Sequence, residues 1–132
     1  MIEGTIEEAG TPVLTIKVIG KRGEEITVEG VLDTGFDGFL SLPISLAVSL
    51  GLELIDVIHA ELADGTIVED ELLFAGRAEW DGTVMEVDIL LTRSQDVLIG
   101  TACLRGYQVR LDYSRNKVSI ERLEGGEEVS DA

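Results

Sequence analysis

The sequence predicts a mainly β fold, a barrel or sandwich with one or two short helices. Three observations carry that prediction: apolar and polar residues alternate in short runs, turn signals recur along the whole chain, and just two segments hold an apolar run bounded like a helix. The 132 residues fit a single domain with one core. That domain is expected to span residues 1–123, and residues 124–132, with one large apolar side chain and net negative charge, read as an acidic mobile tail.

The elements follow in order. In Pro12–Ile19, Leu14, Ile16 and Val18 share one face, the two-residue period of a half-buried strand. Gly20-Lys21-Arg22-Gly23 reads as a turn, after which Ile26 and Val28 resume the alternation into Val31-Leu32 and complete a first hairpin. After Asp33 a glycine-rich stretch leads to Phe39-Leu40-Ser41-Leu42. Pro43 then opens an apolar run that stops at Gly51, the proline-first, glycine-last signature of a helix of about two turns. Two further hairpins are expected, each with Asp-Gly at its tip because that pair takes the positive φ angles of a tight two-residue turn. Asp64-Gly65 would join strands over 57–63 and 66–69, and Asp81-Gly82 strands over 76–80 and 83–91. Asp96-Val97-Leu98-Ile99-Gly100 reads as an apolar strand, followed by a short helix over 101–105 and a last hairpin through Ser114-Arg115-Asn116-Lys117. Val31-Leu32-Asp33-Thr34-Gly35 and Val97-Leu98-Ile99-Gly100 form a faint internal echo, apolar residues running into glycine and then a helix.

Composition excludes several functions. Ten Lys and Arg against twenty-six Asp and Glu give a formal charge of -16, which repels phosphate backbones and anionic lipid, so neither nucleic acid nor membrane is an expected partner. The longest uncharged stretch, 38–52, is too short to span a bilayer. Met1-Ile2-Glu3-Gly4 has no basic or apolar leader pattern, and the expected location is cytoplasmic. A single cysteine, Cys103, and a single histidine, His59, supply neither an internal disulfide nor a Cys/His zinc site. A calcium loop starting at Asp33 fails because Gly35 and Ile44 occupy its third and twelfth positions. No metal or cofactor is therefore expected. Cys103 reads as a buried, inert thiol and His59 as a strand residue without a role, while Trp80 either caps the barrel or lines a contact.

Asp33-Thr34-Gly35 is the strongest chemical signal. An aspartate ending an apolar strand is held by the sheet, and glycine two residues on lets backbone N–H groups approach its carboxylate. Alone, the tripeptide also suits a plain turn. Its context is Val31-Leu32 before it, Phe36, Gly38 and Phe39-Leu40-Ser41-Leu42-Pro43 after it, then the Asp64-Gly65 hairpin and Leu98-Ile99-Gly100. In that order the chain resembles the retropepsin-like aspartic proteases over about residues 12–121, most of all the single-domain prokaryotic type.

The resemblance implies a closed or nearly closed acid-protease barrel with Asp33 catalytic, supported by Thr34 and Gly35. It also implies a flap at Ala63, Asp64, Gly65 and Thr66 over a peptide or protein substrate, and Leu98-Ile99-Gly100 supporting the active loop. Such chemistry uses paired carboxylates: at about 3 Å and an effective dielectric of about 20, two like charges repel by roughly 5 kcal/mol, so one stays ionised while the other keeps a proton. The chain has one Asp-Thr-Gly and no Asp-Ser-Gly, so the implied enzyme is a homodimeric endopeptidase. The alternative is a non-catalytic peptide-binding or assembly module of the same fold. Three departures from the retroviral pattern stand out. Phe36 replaces a small residue, Thr101 stands where an arginine usually follows the glycine, and the chain after Ile120 runs into the acidic tail. Phe36 is expected beneath the loop as its anchor, with projection into the cleft as the other placement.

Overall fold

The computed structural model describes residues 1–61, 63–65, 67–92 and 94–123, so Thr66 and the tail over 124–132 lie outside the described residues. Within them the chain forms ten strands, one α-helix and one 3-10 turn. The strands are β1 (Ile2–Ile6), β2 (Pro12–Ile19), β3 (Glu25–Leu32), β4 (Leu40–Pro43), β5 (Glu53–Glu61), β6 (Ile67–Trp80), β7 (Thr83–Thr92), β8 (Val97–Ile99), β9 (Tyr107–Asp112) and β10 (Lys117–Arg122). The helix, α1, is Ile44–Leu50, and the 3-10 turn is Thr101–Cys103. Among the described residues no helix is long and apolar enough to cross a membrane.

Six strands close into a barrel in the order β6-β7-β4-β8-β3-β2. Closure comes from the end of β2, where Lys17, Val18 and Ile19 pair with Glu79, Ala78 and Arg77 of β6. The start of the same edge pairs with β1 through Thr5 and Val13, and the sheet continues from β1 to β10 and β9. One strand thus serves both the barrel and the outer layer. Its alternation provides the core face, since Leu14, Ile16 and Val18 are at most 2% exposed. Leu40, Leu42, Ile89, Ile99 and Ile120 join them and are fully shielded. Burying side chains of this size contributes about 1.5–3 kcal/mol each.

The helix begins after Pro43 and ends where Gly51 turns left-handed at φ 62°, its N–H meeting the Val48 carbonyl. Asp81-Gly82 forms the expected tight turn: both residues have positive φ, 53° and 81°, and Trp80 pairs with Thr83. Asp64-Gly65 does not. Among the described residues the last pair of β5 and β6 is Glu61 with Ile67, Ala63 already belongs to the turn, and of the Asp-Gly pair the glycine alone has positive φ, 89°. The middle segments are also more continuous than expected, because β6 runs unbroken over 14 residues and serves both hairpins. Its Leu72-Leu73-Phe74-Ala75 run hides the alternation that would mark it as strand. β1 was not expected at all; Gly4 is needed there because a Cβ would strike the Val13 carbonyl.

Trp80 is core. It is 5% exposed and meets Phe39 and Tyr107 edge to face, with ring centroids 6.1 and 6.2 Å away. The last hairpin turns around Asp112, whose Oδ1 accepts from the Ser114 hydroxyl at 2.6 Å and from the Ser114 and Arg115 amides at 3.0 and 3.1 Å. The Ser114 hydroxyl is the main reason its carboxyl is held below the ordinary carboxylate value. A depressed carboxyl supports the turn above its unfolded-state value and stops doing so as pH falls through the folded one. The protection factors of the Ser114 and Arg115 amides, taken relative to the intrinsic exchange rate at each pH, should therefore fall on acidification, and Asp112→Ala should lower them in the same way at neutral pH.

Candidate active site

The chain leaves the barrel at Leu32 and re-enters it at Leu40, yet β3 and β4 do not pair with each other. β8 lies between them, parallel to β3 with Val31 beside Leu98 and Leu32 beside Ile99, and antiparallel to β4 with Leu40 beside Ile99. Residues 33–39 must therefore pass over the end of β8. The two echo segments of the sequence are these neighbouring parallel strands.

Backbone hydrogen bonds fix the crossing. The Asp33 N–H donates to the Ile99 carbonyl at 2.9 Å, and the Gly100, Thr101 and Ala102 N–H groups donate to the carbonyls of Phe39, Phe36 and Gly38 at 2.9, 2.8 and 3.1 Å. The Thr101 hydroxyl adds a longer bond to the Phe36 carbonyl at 3.4 Å. Position 100 admits no side chain. A Cβ there would strike the Gly38 carbonyl and lie 2.6 Å from the Phe36 oxygen and 2.7 Å from its ring. Cys103 closes the segment by donating its thiol to the Gly100 carbonyl at 3.0 Å; it is buried, as expected, and burial pushes the thiol up to about 12.

Asp33 sits half-buried at the mouth of this loop. Its Oδ1 accepts the Gly35 N–H at 2.9 Å. Gly35 has no positive φ, so the glycine is explained by proximity: a Cβ would lie 3.2 Å from Asp33 Oδ1. Thr34 and Gly35 are exposed. On one flank Asp33 and Thr34 adjoin Pro12, Val31, Leu111 and Tyr113 around a depression of about 310 Å³. On the other, Phe36, Gly38 and Ala102 face Ile58 of β5, Leu73 of β6 and Leu90 of β7 across a cleft of about 420 Å³. The stem of the β5–β6 hairpin thus faces the loop. Ala63, Asp64 and Gly65 at its tip are exposed and outside the cleft lining.

These features decide the comparison. A retropepsin-like aspartic protease from Rickettsia conorii superposes with a TM-score of 0.59 at 14% identity, over 91% of this chain and 88% of that one. The EIAV protease complexed with the inhibitor HBY-793 gives a TM-score of 0.53 at 15% identity, over 76% and 90%. The fold is that of the retropepsin-like aspartic proteases. No protein-family model and no curated protein sequence matches the chain.

Within this retropepsin-like fold Phe36 takes both expected placements. Its ring lies over Gly38 and Gly100, since a Cβ on Gly38 would lie 2.6 Å from the ring tip, and its remaining surface lines the cleft. The sequence reading missed Glu86 and Asp88, which also line the cleft; their signal is the Glu86-Val87-Asp88-Ile89 alternation, which places both on the outer face of β7.

The seating of Phe36 on two glycines generates a prediction. Phe36→Ala should destabilise by about 2 kcal/mol, and Gly38→Ala by about 1–3 kcal/mol through overpacking against the ring. Combined, the two should be non-additive by about 1 kcal/mol or more, because removing the ring vacates the space for the new methyl. Gly100→Ala should remain costly in either background, since backbone carbonyls also fill its space. Urea unfolding of the single and double variants measures all of these.

Proposed function

We propose that the chain is an aspartic endopeptidase that works as a homodimer through Asp33 of each copy. The observation that carries this reading is the Asp33 carboxylate, hydrogen-bonded to the Gly35 N–H and half-open beside a cleft in a retropepsin-like fold. A single loop of this kind supplies one carboxylate, and the chemistry requires two. The second copy approaches over the Asp33 and Thr34 flank, where Leu111 and Tyr113 leave 39% and 57% of their surface exposed. Each Thr34 hydroxyl, which has no hydrogen-bond partner among the described residues, then bonds across the twofold axis.

In this mechanism the ionised Asp33 takes a proton from water as the water oxygen bonds to the scissile carbonyl carbon. The protonated Asp33 of the second copy gives its proton to the carbonyl oxygen, forming a gem-diol. On collapse the first carboxyl protonates the leaving nitrogen, the second recovers a proton from the diol, and the C–N bond breaks. One proton again resides on the pair. The hairpin carrying Ala63, Asp64, Gly65 and Thr66 closes over the peptide and excludes water.

Asp33→Asn keeps the shape and the acceptor for the Gly35 N–H but cannot pass a proton. It should lower kcat/KM by about a thousandfold or more with the melting temperature unchanged; cleavage at the wild-type rate would remove Asp33 from the mechanism. Peptide binding without turnover by the wild type would instead establish the non-catalytic module.

Association should strengthen with salt, because two chains of charge -16 repel until screened. Leu111→Glu should weaken the dimer by about tenfold or more and lower activity in parallel. Sedimentation across a salt series, with peptidase assays on the same samples, reads both effects.

A further inference from the structure

The cleft beside the loop has two unlike parts. Its walls are apolar, formed by the outward face of Phe36 with Ile58, Leu73 and Leu90. Its edge on β7 carries two carboxylates, Glu86 and Asp88, both exposed and neither with an ion pair or hydrogen bond among the described residues. Two of the three lysines of this chain are occupied elsewhere. Lys17 pairs with Glu25 and Glu79, and Lys21 with Glu53. Arg77 stands opposite Glu86 in the β6–β7 register and, with Lys21, lines the depression on the far side of these carboxylates, yet it forms no ion pair with either.

We infer that this cleft is a specificity subsite for a lysine or arginine side chain of the peptide substrate, with Glu86 and Asp88 as its determinants. The inference rests on the endopeptidase reading and names the substrate class of that site. Only a long cationic side chain matches both parts, because its methylene stem covers apolar surface while its charged head remains hydrated at the rim. The volume of about 420 Å³ falls among ordinary ligand pockets. An acidic substrate side chain would meet two like charges and the field of a chain at -16. An aliphatic one would fill the walls and leave the carboxylates without a partner. A cationic substrate is also drawn toward the enzyme before contact, an effect that weakens as salt rises.

The test begins with cleavage of a mixed peptide library by the wild type. Sites should be enriched in Lys or Arg at one fixed position relative to the scissile bond. Matched peptides with lysine or norleucine at that position should then differ in kcat/KM by about tenfold or more, and the Glu86→Gln, Asp88→Asn double variant should collapse that ratio toward one. Cleavage without basic enrichment, or a ratio that survives in the double variant, overturns the inference and leaves the endopeptidase reading standing. If no peptide is cut, the activity fails separately, and fluorescence titration of Asp33→Asn with the same labelled lysine and norleucine peptides decides the subsite. Tighter lysine binding that disappears when Glu86→Gln and Asp88→Asn are added supports it, and equal binding overturns it.

Discussion

The site depends on one close approach. Gly100 brings its backbone so near the 33–39 loop that three consecutive N–H groups, from Gly100 to Ala102, reach the carbonyls of Phe39, Phe36 and Gly38. Those carbonyls belong to a segment without strand partners of its own, and leaving them unpaired would cost about 1–3 kcal/mol for each that is buried. A methyl group at position 100 would push the two segments apart and break the set together. The direction of the Asp33 carboxylate, the seat of the Phe36 ring and the near wall of the cleft all follow from this contact.

Local signals made much of this legible in the sequence. Pro43 and Gly51 bracket the helix because each acts on its own backbone, and Asp81-Gly82 makes its tight turn because both residues tolerate positive φ. Asp33 stood out for a similar reason, as a carboxylate ending an apolar strand with glycine close behind. Asp64-Gly65 misled because the same dipeptide can sit within a longer loop, where the strand register, set by Glu61 and Ile67, outweighs the dipeptide. The insertion of β8 between β3 and β4 was not readable from periodicity, since it joins residues some 65 positions apart. β1 escaped notice for a related reason: its five residues acquire their role from β2 and β10, which flank it.

Glu86 and Asp88 show how the charge of the whole chain obscures its local use. Among twenty-six acidic residues, alternation on one strand marks Glu86 and Asp88 as outward-facing but does not mark a site. What distinguishes them is the cleft they border, and that cleft is assembled from β4, β5, β6, β7 and the loop after β3. The same strand turns Val87 and Ile89 inward, so the alternation that builds the barrel wall also sets the chemistry of its rim.

The position of β8 has a consequence for the order of events in the life of the chain. A ribosome delivers β3, the Asp33 loop and β4 well before Val97–Ile99 emerges, and until then the slot between β3 and β4 stands open. During that interval the loop lacks its clamp, and a nascent fragment ending before Gly100 holds every residue of the Asp-Thr-Gly element without the framework that aims it. Assembly of the Asp33 loop therefore comes late in synthesis, delayed by topology.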